Sequence, residues 1–269
     1  MHKRSRILLV GLVCFLAHAC RAGAESFSEA PEWGAYFREA QTQGTFVLYD
    51  LRHDRWKAYN LPRAETRFIP ASTFKIPHAL IALETKVVQD PRQVFPWDGV
   101  VRGYPDWNRD QTLRTAMKYS VVPVFQGFAR VIGPERMKEY LAKFRYGNMD
   151  ISGEIDRFWL DGGPLAVSAV EEVRFLVGLY KDALPVSRES QWIVKDILVN
   201  EAAKEYVLRA KTGMASGIGW WVGWVETDDN AYFFACNLDL AQQRNAGDRI
   251  GISRKILASE KILPLKEKE

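Results

Sequence analysis

The chain has 269 residues, 47% of them hydrophobic, which is core enough for one large domain or a compact two-lobed one and excludes a disordered or low-complexity protein. Its formal net charge of +4 rests on the first residues: without Lys3, Arg4, Arg6 and Arg21, the 37 basic side chains become 33 against 33 acidic ones. A balanced remainder gives no basis for a nucleic-acid or anionic-membrane partner.

Residues 1–24 read as an export signal. Lys3, Arg4 and Arg6 precede the apolar run Ile7 to Leu16, and Ala22-Gly23-Ala24 offers a small-residue cleavage site before Glu25. The alternative is lipoprotein processing at Cys20, to which Ala17-His18-Ala19 is a poor match. Residues 25–269 are then expected to form a single domain in the periplasm, monomer or homodimer, with no membrane attachment in the mature form. Only Cys236 lies outside the leader, so no internal disulfide is expected and a buried structural thiol is.

Thr45 to Leu51 and Arg55 to Asn60 read as two strands around a polar turn. Ser72-Thr73-Phe74-Lys75 follows and opens a helix that continues as Ile76-Pro77-His78-Ala79-Leu80-Ile81-Ala82-Leu83, apolar almost all round and therefore central. Pro77 is expected to distort its first turn rather than end it. Thr112 to Tyr119, Pro123 to Ile132, Pro134 to Phe144, Ala169 to Ala183 and Ser190 to Val199 carry apolar residues at helix spacing, with Gly133-Pro134 and Gly147-Asn148 as punctuation. Strand patterns return in Tyr206 to Lys211, Trp220 to Glu226 and Ala231 to Leu238, the last two joined by Thr227-Asp228-Asp229-Asn230 as a hairpin, and Asp248 to Ile262 closes the chain as an amphipathic helix. The order predicts an α+β fold: one antiparallel sheet built from both ends of the chain and flanked by helices, with an all-helical lobe over roughly residues 90–200 inserted between its halves. The cleft between the two is the natural location for a site.

Ser72 and Lys75 stand one helical turn apart, a spacing that suits a serine nucleophile served by an amine base. Ser72 at a helix N-terminus also gains from orphan backbone donors, which favour negative charge developing on a substrate oxygen. Alone the pattern is weak, since Ser-x-x-Lys is more often a helix cap followed by a solvated lysine. Three later segments make it specific: Tyr119-Ser120-Val121-Val122, Phe158-Trp159-Leu160 and Lys211-Thr212-Gly213, with Tyr146-Gly147-Asn148 beside them.

In this order and spacing, from about Trp33 to Leu263, the motifs resemble the class D, oxacillinase-type serine β-lactamases. The resemblance implies a serine β-lactamase/penicillin-binding-protein-like fold and hydrolysis of β-lactam antibiotics through an acyl-enzyme on Ser72. It implies carboxylation of Lys75 by carbon dioxide, with bicarbonate as its source and no metal. An amine packed among Phe74, Val122, Trp159 and Leu160 loses its proton cheaply, which fits. By the same resemblance Trp159 donates a hydrogen bond to the carbamate, and Ser120 relays a proton toward the leaving nitrogen. Val122 and Leu160 line the carbamate pocket, and Lys211 supplies positive field. Thr212 and Arg249 hold the substrate carboxylate, Gly213 gives room for close backbone approach, and the amides of Ser72 and Met214 form the oxyanion hole.

Two departures from the family pattern border the cleft. Only Met214 to Gly219 separates Lys-Thr-Gly from Trp220, and Asp161-Gly162-Gly163 carries an extra glycine; the first bears on the range of carbapenems and bulky cephalosporins accepted. A penicillin-binding sensor module and a D-alanyl transpeptidase or carboxypeptidase share the Ser-x-x-Lys and Lys-Thr-Gly motifs and remain the alternatives. A histidine triad or histidine-rich zinc site has few candidates, since only His53 and His78 lie outside the leader.

Overall fold

The computed structural model describes residues 26–215, 217–240 and 246–264. The leader read in residues 1–24 lies outside them.

Alternating β-branched and aromatic residues build the strands β1 (Phe27–Glu29), β2 (Gly44–Asp50), β3 (Arg55–Tyr59), β4 (Val199–Ala202), β5 (Tyr206–Ala215), β6 (Ile218–Thr227) and β7 (Ala231–Asp239). They form one seven-stranded sheet in the order β1-β3-β2-β7-β6-β5-β4. The two ends of the sequence therefore meet in its middle, where β2 pairs with β7 and Val47 lies opposite Ala235. All pairings are antiparallel except the short β1, which runs parallel to β3, so the sheet is mixed rather than purely antiparallel.

Both faces of the central strands are covered, which is why β2, β6 and β7 read as nearly unbroken apolar runs. The two-residue pleat sorts their side chains. Val47, Tyr49, Trp220, Val222, Trp224 and Phe233 enter one core, whereas Phe46, Leu48, Trp221, Val225, Phe234 and Cys236 enter the other. The second core is closed by α1 (Gly34–Glu39) and α8 (Asp248–Ser259). The first is closed by the helices between β3 and β4: α2 (Leu61–Glu65), α3 (Lys75–Glu84), α4 (Leu113–Lys118), α5 (Val122–Phe144), α6 (Ala169–Tyr180) and α7 (Arg188–Ile197).

Every residue of α3 from Lys75 to Leu83 is buried, as its apolar composition requires. Gly133, at φ 78° and ψ 164°, divides α5 into the two helices that Gly133-Pro134 announces. Capping boxes start α4 at Thr112 and α6 at Ser168. Several limits differ from the sequence reading, three of them by three residues or more. β5 runs four residues past Lys211, whereas α6 stops at Tyr180 and α8 at Ser259.

Candidate active site

Ser72 lies in a single 3-10 turn, Ala71–Phe74, that feeds directly into α3. The residue before it, Ala71, holds a left-handed backbone (φ 50°), a conformation alanine adopts only under constraint from its surroundings. Part of that constraint is β5. A side chain at Gly213 would sit 2.9 Å from the Pro70 carbonyl oxygen and 3.1 Å from Thr73 Cγ2, so the strand lies flat against the turn. From Ala71 to Leu83 every residue but Ser72 is buried.

Lys75 is fully buried, and its Nζ donates to Ser72 Oγ at 2.8 Å. Burial, and next the positive charge of Lys211, hold its amine well below the usual lysine range. The Phe125 ring lies 5.4 Å from Nζ. Trp159 is also fully buried, packed on Phe74 and His78 with ring centroids 5.5 and 5.1 Å away, and its indole Nε1 has no hydrogen-bond partner. The loop that presents Trp159 is closed by Gly163, which donates to the Leu160 carbonyl at 2.7 Å where the Phe158 carbonyl leaves no room for a side chain. His78 is enclosed by aromatic rings and partnerless at both nitrogens, and burial lowers it to about 3. It is a neutral packing residue.

Ser120 stands between α4 and α5 in a left-handed conformation (φ 55°), and Lys211 Nζ donates to its hydroxyl and, at 2.9 Å, to the Thr212 carbonyl. Burial, with Arg249 as second cause, brings the Lys211 amine down to about 7. Arg249 occupies the first turn of α8, where it donates to the Ala246 carbonyl and leaves Nε buried without a partner among the described residues.

Lys-Thr-Gly does not end its strand. β4 covers β5 only as far as Arg209, with Ala210 bonded to Leu198 and Asn200, so Lys211 to Ala215 present an edge that no described strand occupies. Ala210 turns its N–H and C=O toward β4; the alternation of an antiparallel strand then turns those of Thr212 and Met214 to the same open edge. Gly213 lies opposite Trp220 and Thr212 opposite Trp221, which puts the Thr212 side chain on the α8 side of the sheet with Arg249.

The structure thus forms two bonded pairs, Lys75 with Ser72 and Lys211 with Ser120, coupled by the Lys211 charge felt at Lys75, and packs Trp159 against Phe74 beside the first. Val122, at the first turn of α5, and Leu160 are half-buried near this group. The ring beside the amine is Phe125, which the sequence reading left unnamed although it stands one helical turn from Val122. It also missed Glu172, a buried acid whose only signal is its place among apolar neighbours in α6.

A partly exposed serine at a helix start, a dry amine against it and a second serine–lysine pair beside a free strand edge are groups that can support nucleophilic chemistry on a carbonyl. Residues 35–258 match the family model described as penicillin binding protein transpeptidase domain. Beta-lactamase OXA-48 of Klebsiella pneumoniae is 49% identical over 96% of the chain and the whole of that protein, and Beta-lactamase OXA-5 of Pseudomonas aeruginosa is 46% identical over 91% of the chain and 94% of its own. The crystal structure of FUS-1 (OXA-85), a class D β-lactamase from Fusobacterium nucleatum subsp. polymorphum, superposes with a TM-score of 0.85 at 41% identity, covering 88% of this chain and all of that one. The chain belongs to the class D β-lactamases, enzymes that hydrolyse β-lactams.

Proposed function

We propose that β-lactams are opened by Ser72 through an acyl-enzyme, with Lys75 in carboxylated form as the general base for both loading and release. The observation that carries this reading is the fully buried Lys75 Nζ, 2.8 Å from Ser72 Oγ, in a niche where the Trp159 indole N–H has no acceptor. A carboxyl group on Nζ supplies a base and an anionic acceptor. The residues present suit it: burial and the Lys211 charge favour the neutral amine, the form that carbon dioxide reacts with, and the orphan indole offers a donor.

Ser72 loses its proton toward Lys75 as it attacks the lactam carbonyl. The developing oxyanion accepts from the amides of Ser72 and Met214, the latter turned to the open edge of β5. Ser120 delivers a proton to the leaving nitrogen, with Lys211 Nζ orienting its hydroxyl. Arg249 and the Thr212 hydroxyl, on one side of the sheet, hold the substrate carboxylate. Trp159 fixes the base for the water that frees Ser72. The leader over residues 1–24 supports export to the periplasm.

Carbon-13 NMR of protein equilibrated with labelled bicarbonate tests the base. A carbamate resonance is expected in the wild type and lost in Lys75→Ala, which acylates slowly and does not turn over. Acid protonates Lys75, so activity falls as pH is lowered and added bicarbonate restores part of it. An active enzyme with no carbamate signal at any pH refutes the base assignment.

A further inference from the structure

Glu172 is the only acid fully buried among the described residues, and the mechanism above does not use it. It stands in the first turn of α6, next to Glu171, whose carboxylate closes the Ser168 capping box and takes the Arg67 guanidinium. Among the described residues no cation pairs with Glu172. Its Oε1 lies 2.6 Å from Thr73 Oγ1 and 2.9 Å from the Tyr146 hydroxyl, and Thr73 Oγ1 lies 2.8 Å from the Pro70 carbonyl oxygen.

These three oxygen–oxygen contacts require three hydrogens, and Thr73 and Tyr146 bring one each. Pro70 offers only a carbonyl, so the third must come from the carboxyl itself. We propose that Glu172 is held as a neutral carboxylic acid that donates to Thr73, leaves the Thr73 hydroxyl free to donate to Pro70, and so positions the turn from which Ser72 attacks. It is a positioning residue: it touches Thr73 and never the substrate.

The surroundings agree. Burial raises Glu172 to about 7 against the hydrogen bonds of Thr73 and Tyr146, and the neighbouring Glu171 charge adds to the rise. Facing it are neutral groups, Thr73 from the Ser72 turn and Tyr146 from the segment after α5, whose phenol burial holds well above its usual range. The second oxygen, Oε2, has no partner, which a neutral acid tolerates better than a carboxylate does. Ionised, Glu172 leaves the group one hydrogen short. Thr73 must then release either Pro70 or the carboxylate, and the turn loses an anchor.

The sign follows from proton binding. The folded acid keeps its proton to higher pH than the ordinary value of 4.5, so stability is full below that value and drains away as pH rises through about 7. Glu172→Gln supplies an amide N–H at every pH, so it separates this effect from all other titrations. Relative to that variant, the wild type should lose folding equilibrium on the order of a hundredfold between about pH 5 and pH 8, read as a falling difference in Tm. Difference infrared spectra of the two proteins should carry the C=O stretch of a protonated acid at low pH, and lose it through the same window.

The catalytic half rests on Ser72 being the acylated nucleophile. Acylation by benzylpenicillin should decline with the same titration in the wild type, and Glu172→Gln should abolish that decline. Melting curves that run parallel, without a protonated-acid band, overturn the proposal. Shared acylation profiles despite the infrared band overturn the positioning role. Acylation that survives Ser72→Ala instead overturns the nucleophile, and leaves the neutral acid to the first two measurements.

Discussion

The Trp159 indole is a donor enclosed without an acceptor, an arrangement that costs stability unless a ligand completes it. Trp159→Phe keeps most of the ring packing on Phe74 and His78 and removes the unmet donor. Its Tm in buffer free of carbon dioxide should equal or exceed that of the wild type. Deacylation should slow by about tenfold to a hundredfold, the worth of a hydrogen bond to a charged group. Single-turnover release of bound penicillin measures this, and an unchanged rate removes Trp159 from the reaction. The sequence names Trp159 by its motif, but not that the N–H is idle, because that depends on which groups fail to reach it. Phe125 escaped for a related reason: its contact with Lys75 joins two helices through the core, and the pattern of α5 shows only that it faces inward.

Among elements, the contact between β5 and the Ser72 turn is the most demanding. Gly213→Ala places a methyl within 3.1 Å of the Pro70 carbonyl oxygen, Thr73 and Trp220 together. Strand and turn must part by a few tenths of an ångström, at a cost of about 1–3 kcal/mol. Acylation should fall more than this loss of stability suggests, since the displaced groups are Ser72 and Lys211. Parallel measurement of Tm and the acylation rate checks it, and a variant that acylates normally shows that the close approach is structural only. Hydrophobic periodicity revealed most elements, including the break at Gly133. It stopped β5 at Lys211 because Thr212-Gly213 resembles punctuation, whereas pairing with Trp220 and Trp221 carries the strand onward. The short β1 and β4 gave no signal. Each is a few residues long and exists through its neighbour.

For the whole molecule, the two cores share the central strands of one sheet, so they are expected to unfold together. Cys236 reports on it: β7 buries it completely, and burial pushes its thiol up to about 12. The native protein should resist thiol reagents, and labelling in denaturant should rise together with the loss of secondary structure. Labelling that precedes this loss means that the α8 face opens on its own. The general architecture was legible because strand patterns cluster at both ends of the chain with helices between. The parallel pairing of β1 was not, since a three-residue strand carries no mark of direction.

The neighbourhood of β2 and β7 also sets the order of events during synthesis. Phe46, Val47, Leu48 and Tyr49 leave the ribosome early and pair at once with β3 on one edge, whereas the strand for their other edge, β7, is among the last to be made. At about 5–20 residues per second, that greasy ribbon waits roughly ten seconds or more for its mate. Until then the second edge of β2 stays open, a place where a nascent chain is exposed to mispairing.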